Sequence, residues 1–311
     1  MSSTLVTAGD KRFFWGLYLL VASLRMHNMT NPIKCLVKGL SEGEESALEQ
    51  FDVDIHRSED VVRPLQAQKP AALLIGVAES DYVTWIDADC IVDGNVSDLL
   101  LPTSPEEIMI RFREPEENIL RFNNKCMDGS IPEDVKNIWC EDVSDSRECQ
   151  ITSTCVTNIF TIHKCNFDLV HRWDEQIQIA IKKHSDDFSN AYTHSSGSGI
   201  SDELVLCSLF AFAMPPYKFS PYRLDKEKGS SLLHLSLKPK PWELWTVPSL
   251  KYYNLVFSIL EWARANDYVM PHRPWSLVPS LKPLAYSTAF LHEVARRTAH
   301  GVGLRRVVMP R

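Results

Sequence analysis

Two aspartates separated by one residue, Asp87 and Asp89, close the apolar run Tyr82-Val83-Thr84-Trp85-Ile86. Paired carboxylates just past a strand can hold a divalent ion, and hard oxygen ligands suit Mn2+ or Mg2+. Such an ion would bridge diphosphate oxygens and offset charge on a departing nucleotide. In continued strand geometry the two side chains would share one face, because the side-chain period is two. In a turn at the strand end they could also converge. Alone, the triplet is a weak signal. Two solvated loop acids have the same spelling, and the aspartate-nucleophile phosphohydrolases also place D-x-D after a strand. Those enzymes continue with Gly-Thr, whereas Cys90-Ile91 follows here.

The second constellation is His234-Leu235-Ser236-Leu237-Lys238-Pro239-Lys240-Pro241-Trp242. A neutral imidazole at His234 can serve as a third metal ligand. Lys240, six residues on, could meet the same diphosphate as a point charge. Pro241 would fix the local turn and Trp242 would anchor it in the core. The bland alternative is a surface loop with a buried tryptophan and a structural histidine.

The elements that must position these residues alternate. Leu5-Val6-Thr7 reads as a short strand before the turn residues Gly9-Asp10. Phe13 to Met26 reads as a helix that is apolar on nearly every face, hence buried. Ile33 to Val37 is a second strand, and Ser41 with Glu44 has the spacing of a capping box for a helix to about Phe51. Val53 to Ile55 is a third strand, Pro64 to Gly76 a helix, and Tyr82 to Ile86 a fourth strand. This alternation predicts an α/β fold with a mainly parallel sheet flanked by helices. In such sheets ligands sit at the carboxyl ends of the strands, where Asp87 and Asp89 fall. Residues 113–150 are acidic, cysteine-bearing and loop-like, and read as an insertion. Thr157 to His163 is a strand candidate, and Phe167 to Lys183 has helical periodicity. Ser185 to Gly199 reads as a mobile polar loop, and Asp202 opens a helix through Phe212.

The H-x5-K-P-W spacing, with D-A-D upstream at a strand end, resembles glycosyltransferase family 8, the family of glycogenin and of bacterial lipopolysaccharide glucosyl- and galactosyltransferases. Phe13-x-x-Gly16 followed by Ser23-Leu24 matches the family's first helix. Pro32 to Leu48 resembles its second strand, loop and helix, and Lys69 precedes the strand much as a family lysine or arginine does. Asp202-Glu203-Leu204-Val205-Leu206 resembles the family's D-Q-D-x-L-N with the second and third positions changed. The likeness spans residues 4–112 and, more loosely, 150–245.

The resemblance implies a single domain of GT-A type, Rossmann-like, over residues 1–250, with the insertion at 113–150 and a helical basic extension over 251–311. It implies retaining transfer of a hexose or related sugar from a UDP-sugar to a saccharide, glycolipid or protein acceptor. By the same resemblance Asp87, Asp89 and His234 ligate Mn2+ (or Mg2+), and Lys240 binds the diphosphate and helps it leave. Val6, Thr7 and Phe13 line the base pocket, Lys69 and Ala88 count among the donor-binding positions, and Asp202 sits by the donor sugar or the acceptor. The alternative for Asp202 is an N-cap carboxylate. Three departures stand out: Leu237 replaces a family glycine, Phe13 replaces a uridine-stacking tyrosine, and the insertion has no counterpart. Leu237 is the feature that favours a catalytically inactive nucleotide-sugar-binding protein.

Composition bounds the rest. At 311 residues and 44% hydrophobic, the chain can bury a sizeable core. A net charge of −7 argues against a nucleic-acid partner. Charge is uneven, since residues 270–311 hold seven basic residues against Glu293 alone. The stretch from Tyr286 to Val308 mixes arginines with Leu291, Val294, Val302 and Leu304, so it could lie on an anionic membrane surface. A solvated segment packed on the acidic body is the simpler expectation. Gly301 and Gly303 count against one continuous helix there. The eight cysteines form no CxxC pair, which suits free thiols in a reducing compartment. A disulfide or zinc among Cys126, Cys140 and Cys149 is the alternative. The apolar run Phe13 to Leu24 is too short to span a bilayer, which needs about 20 residues, so the expected location is cytosolic.

Overall fold

The computed structural model describes residues 2–60, 63, 65–77, 80–183, 202–220 and 231–301. Its central strands are β1 (Ser3–Asp10), β2 (Ile33–Lys38), β3 (Val53–Arg57) and β4 (Tyr82–Ile86). β4 is buried at every position, and β1 at all but its end residues. Such strands need helices on both faces and read as continuous apolar runs. Between them lie α1 (Phe14–Met26), α2 (Glu42–Glu49) and α3 (Lys69–Val77). α1 is buried from Phe14 to Leu24, as a helix without a polar face must be. The Ser41–Glu44 capping box forms at the start of α2.

The sheet runs β3-β2-β1-β4-β7-β6-β8, with β6 at Glu107–Phe112, β7 at Cys155–His163 and β8 at Lys218–Ser220. β1 to β4 pair in parallel, β7 is antiparallel to both β4 and β6, and β8 is parallel to β6. It is therefore the mixed, mainly parallel α/β sheet expected. One core lies under α1. The other holds Trp85, Phe160 and Trp173 with α6 (Phe167–Lys183) and α7 (Asp202–Phe212).

Several boundaries move. Gly9 and Asp10 belong to β1 and not to a turn, and Asp10 instead accepts hydrogen bonds from the amides of Arg12 and Phe13 to cap the next turn. The predicted helix from Pro64 is a short 3-10 turn at Leu65–Gln68 followed by α3, and Pro64 itself lies outside the described residues. The predicted mobile loop from Ser185 to Gly199 also lies outside them. Residues 113–150 are not loop-like: they carry α4 (Pro115–Arg121) and α5 (Glu133–Val143). α4 starts where Pro at the first helical position meets a box of Glu114 and Glu117. α5 buries Val135 and Trp139 in the same core as α7.

Two short strands outside the main sheet, β5 (Cys90–Asp93) and β9 (Ser231–His234), pair antiparallel with Cys90 opposite His234. Beyond them, α8 (Tyr253–Ala265) buries Val256, Phe257 and Leu260 in the core that α1 occupies. α9 covers Lys282–Gly301, and the expected break at Gly301 and Gly303 lies at and beyond the limit of the described residues. No helix among the described residues is long and apolar enough to cross a membrane.

Candidate metal and diphosphate site

β4 delivers the Asp-Ala-Asp segment to the middle of the sheet's carboxyl edge. The Asp87 amide donates to Asn158 O of β7 at 2.8 Å, and the Cys90 amide donates to Asp87 O at 3.0 Å. The triplet is thus a tight turn between β4 and β5, not an extension of the strand. Gly16 of α1 makes room for it: a Cβ there would stand 2.6 Å from Ala88 O and 2.8 Å from the Trp242 ring. One glycine lets the first helix touch both motifs.

The β5–β9 ladder then closes the gap between the motifs. The Leu235 amide donates to Asp89 O at 2.8 Å. His234 Nε2 stands 3.1 Å from Asp89 Oδ1, and Lys240 Nζ stands 2.5 Å from Asp89 Oδ2. Lys240 also donates to Leu235 O at 2.6 Å, while its own amide donates to Glu243. These bonds pin the loop from both ends. Leu237 lies between them, half-buried, and lines a recess of about 190 Å³ together with His234 and Tyr252. The departure from glycine therefore does not keep the loop away from Asp89. Phe13 packs edge-on to Trp242 at 6.0 Å, and Lys240 Nζ lies 5.8 Å from the Phe13 ring centre. Trp242 is fixed by a bond from its Nε1 to Arg12 O at 3.0 Å.

Burial opposes charge on Asp89. The hydrogen bond and charge of His234, with Lys240, outweigh it and hold the carboxyl well below the usual carboxylate range. Burial likewise opposes charge on His234, but its Asp89 partner raises it above the usual imidazole range.

Asp87 looks the other way. Lys69 Nζ bridges Asp87 Oδ1 at 2.9 Å and Asp202 Oδ2 at 3.0 Å. It also donates to Thr157 O and Oγ1, and lies 5.1 Å over the Trp85 ring. Trp85 Nε1 donates to Asp87 Oδ1 at 2.7 Å. The lysine is buried, and desolvation favours its neutral form, but Asp202 and Asp87 outweigh that and hold it as the cation. Asp202, the first residue of α7, is raised above the usual range by burial, with Lys69 opposing.

The predicted residues therefore fall into two adjoining groups. Asp89, His234, Lys240 and Phe13 meet in one; Asp87, Lys69 and Asp202 meet in the other. Ala88 joins them with its carbonyl against α1. Val6 is a core side chain that packs toward Gly76. Thr7 is buried, and its Oγ1 has no hydrogen-bond partner among the described residues. Trp85 and Thr157 were missed. Trp85 was within reach, since it sits two residues before Asp87, near the end of β4. Thr157 had no signal of its own.

A carboxylate and an imidazole make a donor set that fits Mn2+ or Mg2+. Adjacent ligands of an octahedral ion at about 2.1 Å stand about 3 Å apart, and the Asp89–His234 contact is 3.1 Å. Ligand atoms of Asp89, Cys90 and His234 lie within 4.8 Å of one another. Burial pushes the Cys90 thiol well up, so it stays protonated and ill suited to a hard ion. All eight cysteines are free.

No protein-family model and no characterised protein matches the chain by sequence. Its structure is similar to that of the galactosyltransferase LgtC, solved with donor and acceptor sugar analogues. The two are 11% identical, the match covers 88% of this chain and 98% of that one, and the TM-score is 0.50. It is also similar to the bifunctional glycosyltransferase WbbM in its apo form, at 11% identity and a TM-score of 0.50. That match covers 89% of this chain and 50% of WbbM, so the chain spans half of that protein's length. The seven-stranded, mainly parallel sheet flanked by helices is the GT-A type of α/β fold.

Proposed function

We propose that this chain is a metal-dependent, retaining glycosyltransferase that moves a hexose or related sugar from a UDP-sugar to a saccharide, glycolipid or protein acceptor. The observation that carries the reading is convergence on one carboxylate. Asp89 is met by His234 through one oxygen and by Lys240, 151 residues later, through the other. That pattern joins a metal-ligand pair to a phosphate-binding cation at the carboxyl edge of the sheet, where ligands of such folds bind.

Asp89 and His234 would hold the ion, with Asp87 turned in from beside Lys69. When bound, the ion supplies Lewis-acid stabilisation of the diphosphate. Lys240 is positioned by Asp89 and Leu235 O, and its remaining N–H is free of those two bonds to meet a phosphate oxygen. A cation fixed in a buried setting stabilises charge developing on the leaving diphosphate without reorganising. Phe13, beside Lys240, would supply the aromatic surface for the nucleotide base, and the buried Thr7 Oγ1, which has no hydrogen-bond partner among the described residues, a polar group for it. Lys69 fixes Asp202 beside Asp87 through an ion pair, from where Asp202 would orient the sugar or the acceptor. Front-face transfer needs no protein nucleophile, so no residue is assigned that role.

The test is UDP release from UDP-glucose and UDP-galactose with Mn2+, with EDTA as the control. Metal-dependent release, lost in Asp89→Ala, is expected. Nucleotide binding without release from any UDP-sugar would leave a binding protein and overturn the catalytic reading.

A further inference from the structure

A second buried charged cluster lies one residue past Asp202. Glu203 Oε1 pairs with Arg113 Nη2 at 2.9 Å and Arg121 Nη2 at 3.5 Å, and Glu203 is 12% exposed. Both arginines belong to the inserted region, Arg121 at the end of α4. That region is fastened to the start of β7. Arg113 donates to Thr154 Oγ1 at 3.2 Å and to Cys155 O. The fully buried Asn118 of α4 accepts from Thr154 Oγ1 at 2.7 Å. Further along β7, Thr157 joins Glu203 to two members of the neighbouring group, Lys69 and Asp202. Its amide reaches Glu203 at 3.4 Å, its carbonyl accepts from Lys69 at 3.2 Å, and its Oγ1 donates to Asp202 at 3.4 Å.

We propose that Arg113 and Arg121 are positioning residues: by clamping Glu203 they fix the first turn of α7, and with it the placement of Asp202 against Lys69. The inference rests on the sugar-transfer reading for the role of Asp202, but the clamp itself does not. A buried ion pair is poor evidence of stability, because apolar residues of like volume often do as well. What a charged fork does supply is one geometry. Arginine offers donors in a planar array that sets both distance and orientation of a carboxylate. Without it, Glu203 would be a buried, uncompensated charge, and the turn carrying Asp202 would rearrange to solvate it. The insertion would then be part of the transfer machinery and not an appendage.

Arg121 is the residue to change, since it is the more exposed arginine, at 29% against 15%, and Arg113 also holds Thr154 and Cys155. The full chain is compared as wild type, Arg121→Ala and Arg121→Lys, by hydrogen exchange and by UDP release from UDP-glucose and UDP-galactose with Mn2+. In Arg121→Ala, exchange at residues 202–208 should rise about 10-fold, and kcat should fall by at least about 10-fold at nearly unchanged KM. Peptides from β1 and α1 should exchange as before, and Arg121→Lys should recover part of both effects. Unchanged exchange at 202–208 would overturn the clamp, as would a uniform rise across the molecule with unaltered kcat. If wild type neither binds UDP nor releases it, the sugar-transfer reading falls, and the exchange measurement still decides the clamp.

Discussion

Asp89 is the residue on which the proposed site turns, because each of its oxygens has a different partner. Removing one partner should therefore cost something different from removing the other. His234→Ala should weaken Mn2+-dependent UDP binding, since it deletes a proposed ligand. Lys240→Ala should leave metal-dependent binding measurable but lower kcat by about 10²–10³-fold, the usual effect of deleting one preorganised charge stabiliser. Steady-state kinetics paired with UDP titration separates the two. Glu203 gives a pH prediction. Burial opposes its charge, but Arg113, Arg121 and Lys69 hold its carboxyl below the usual range. A depressed folded value stabilises the fold above the unfolded value of about 4.3, and that contribution is lost as pH falls through the folded value. Glu203→Gln should lower stability at neutral pH and flatten the acid limb of the stability profile, read by denaturant melts between neutral pH and about 3.

At the scale of elements, α1 and the β5–β9 ladder bring together residues far apart in sequence. Gly16 tests this. Within a helix, Gly→Ala gains about 0.8–1.0 kcal/mol of propensity. Here the added methyl would meet a backbone carbonyl and a tryptophan ring, neither of which can swing aside. Overpacking of that kind costs about 1–3 kcal/mol, so the net effect is destabilising. The displaced atom is Ala88 O, so Gly16→Ala should weaken UDP binding more than it lowers the melting temperature. Ser41→Ala is the contrast. It removes the cap of α2, worth about 1 kcal/mol, at an exposed position whose bonds lie within the box. Its melting temperature should fall while UDP affinity holds.

Over the whole molecule, the segment after residue 250 is bound into the fold. Tyr253, Val256, Phe257 and Leu260 share the core of α1, and the fully buried Trp245 donates to Ser276 O at 2.8 Å. A chain cut after residue 250 should thus fail to give a cooperative melt, because it exposes the face of α1 that α8 covers. Much of this was legible in the residues. The alternation of apolar runs foretold the sheet, and the resemblance carried by D-A-D and H-x5-K-P-W led to the expectation that the two segments meet, as they do at Asp89. The β5–β9 ladder was not legible, since four residues such as Ser231–His234 show no periodicity and their partner lies far away in sequence. Nor was the sharing of Lys69 between Asp87 and Asp202, which depends on where α3 and α7 meet β7. The helices of the insertion had a readable start at Glu114-Pro115, hidden by its acidic, cysteine-bearing surroundings. The measurement that bears most directly on the central claim is calorimetric titration of the wild-type chain and Asp89→Ala with UDP, with and without Mn2+. The site described here predicts binding that requires Mn2+ and disappears in Asp89→Ala; equal binding by both proteins, or none by wild type with Mn2+ present, would contradict it.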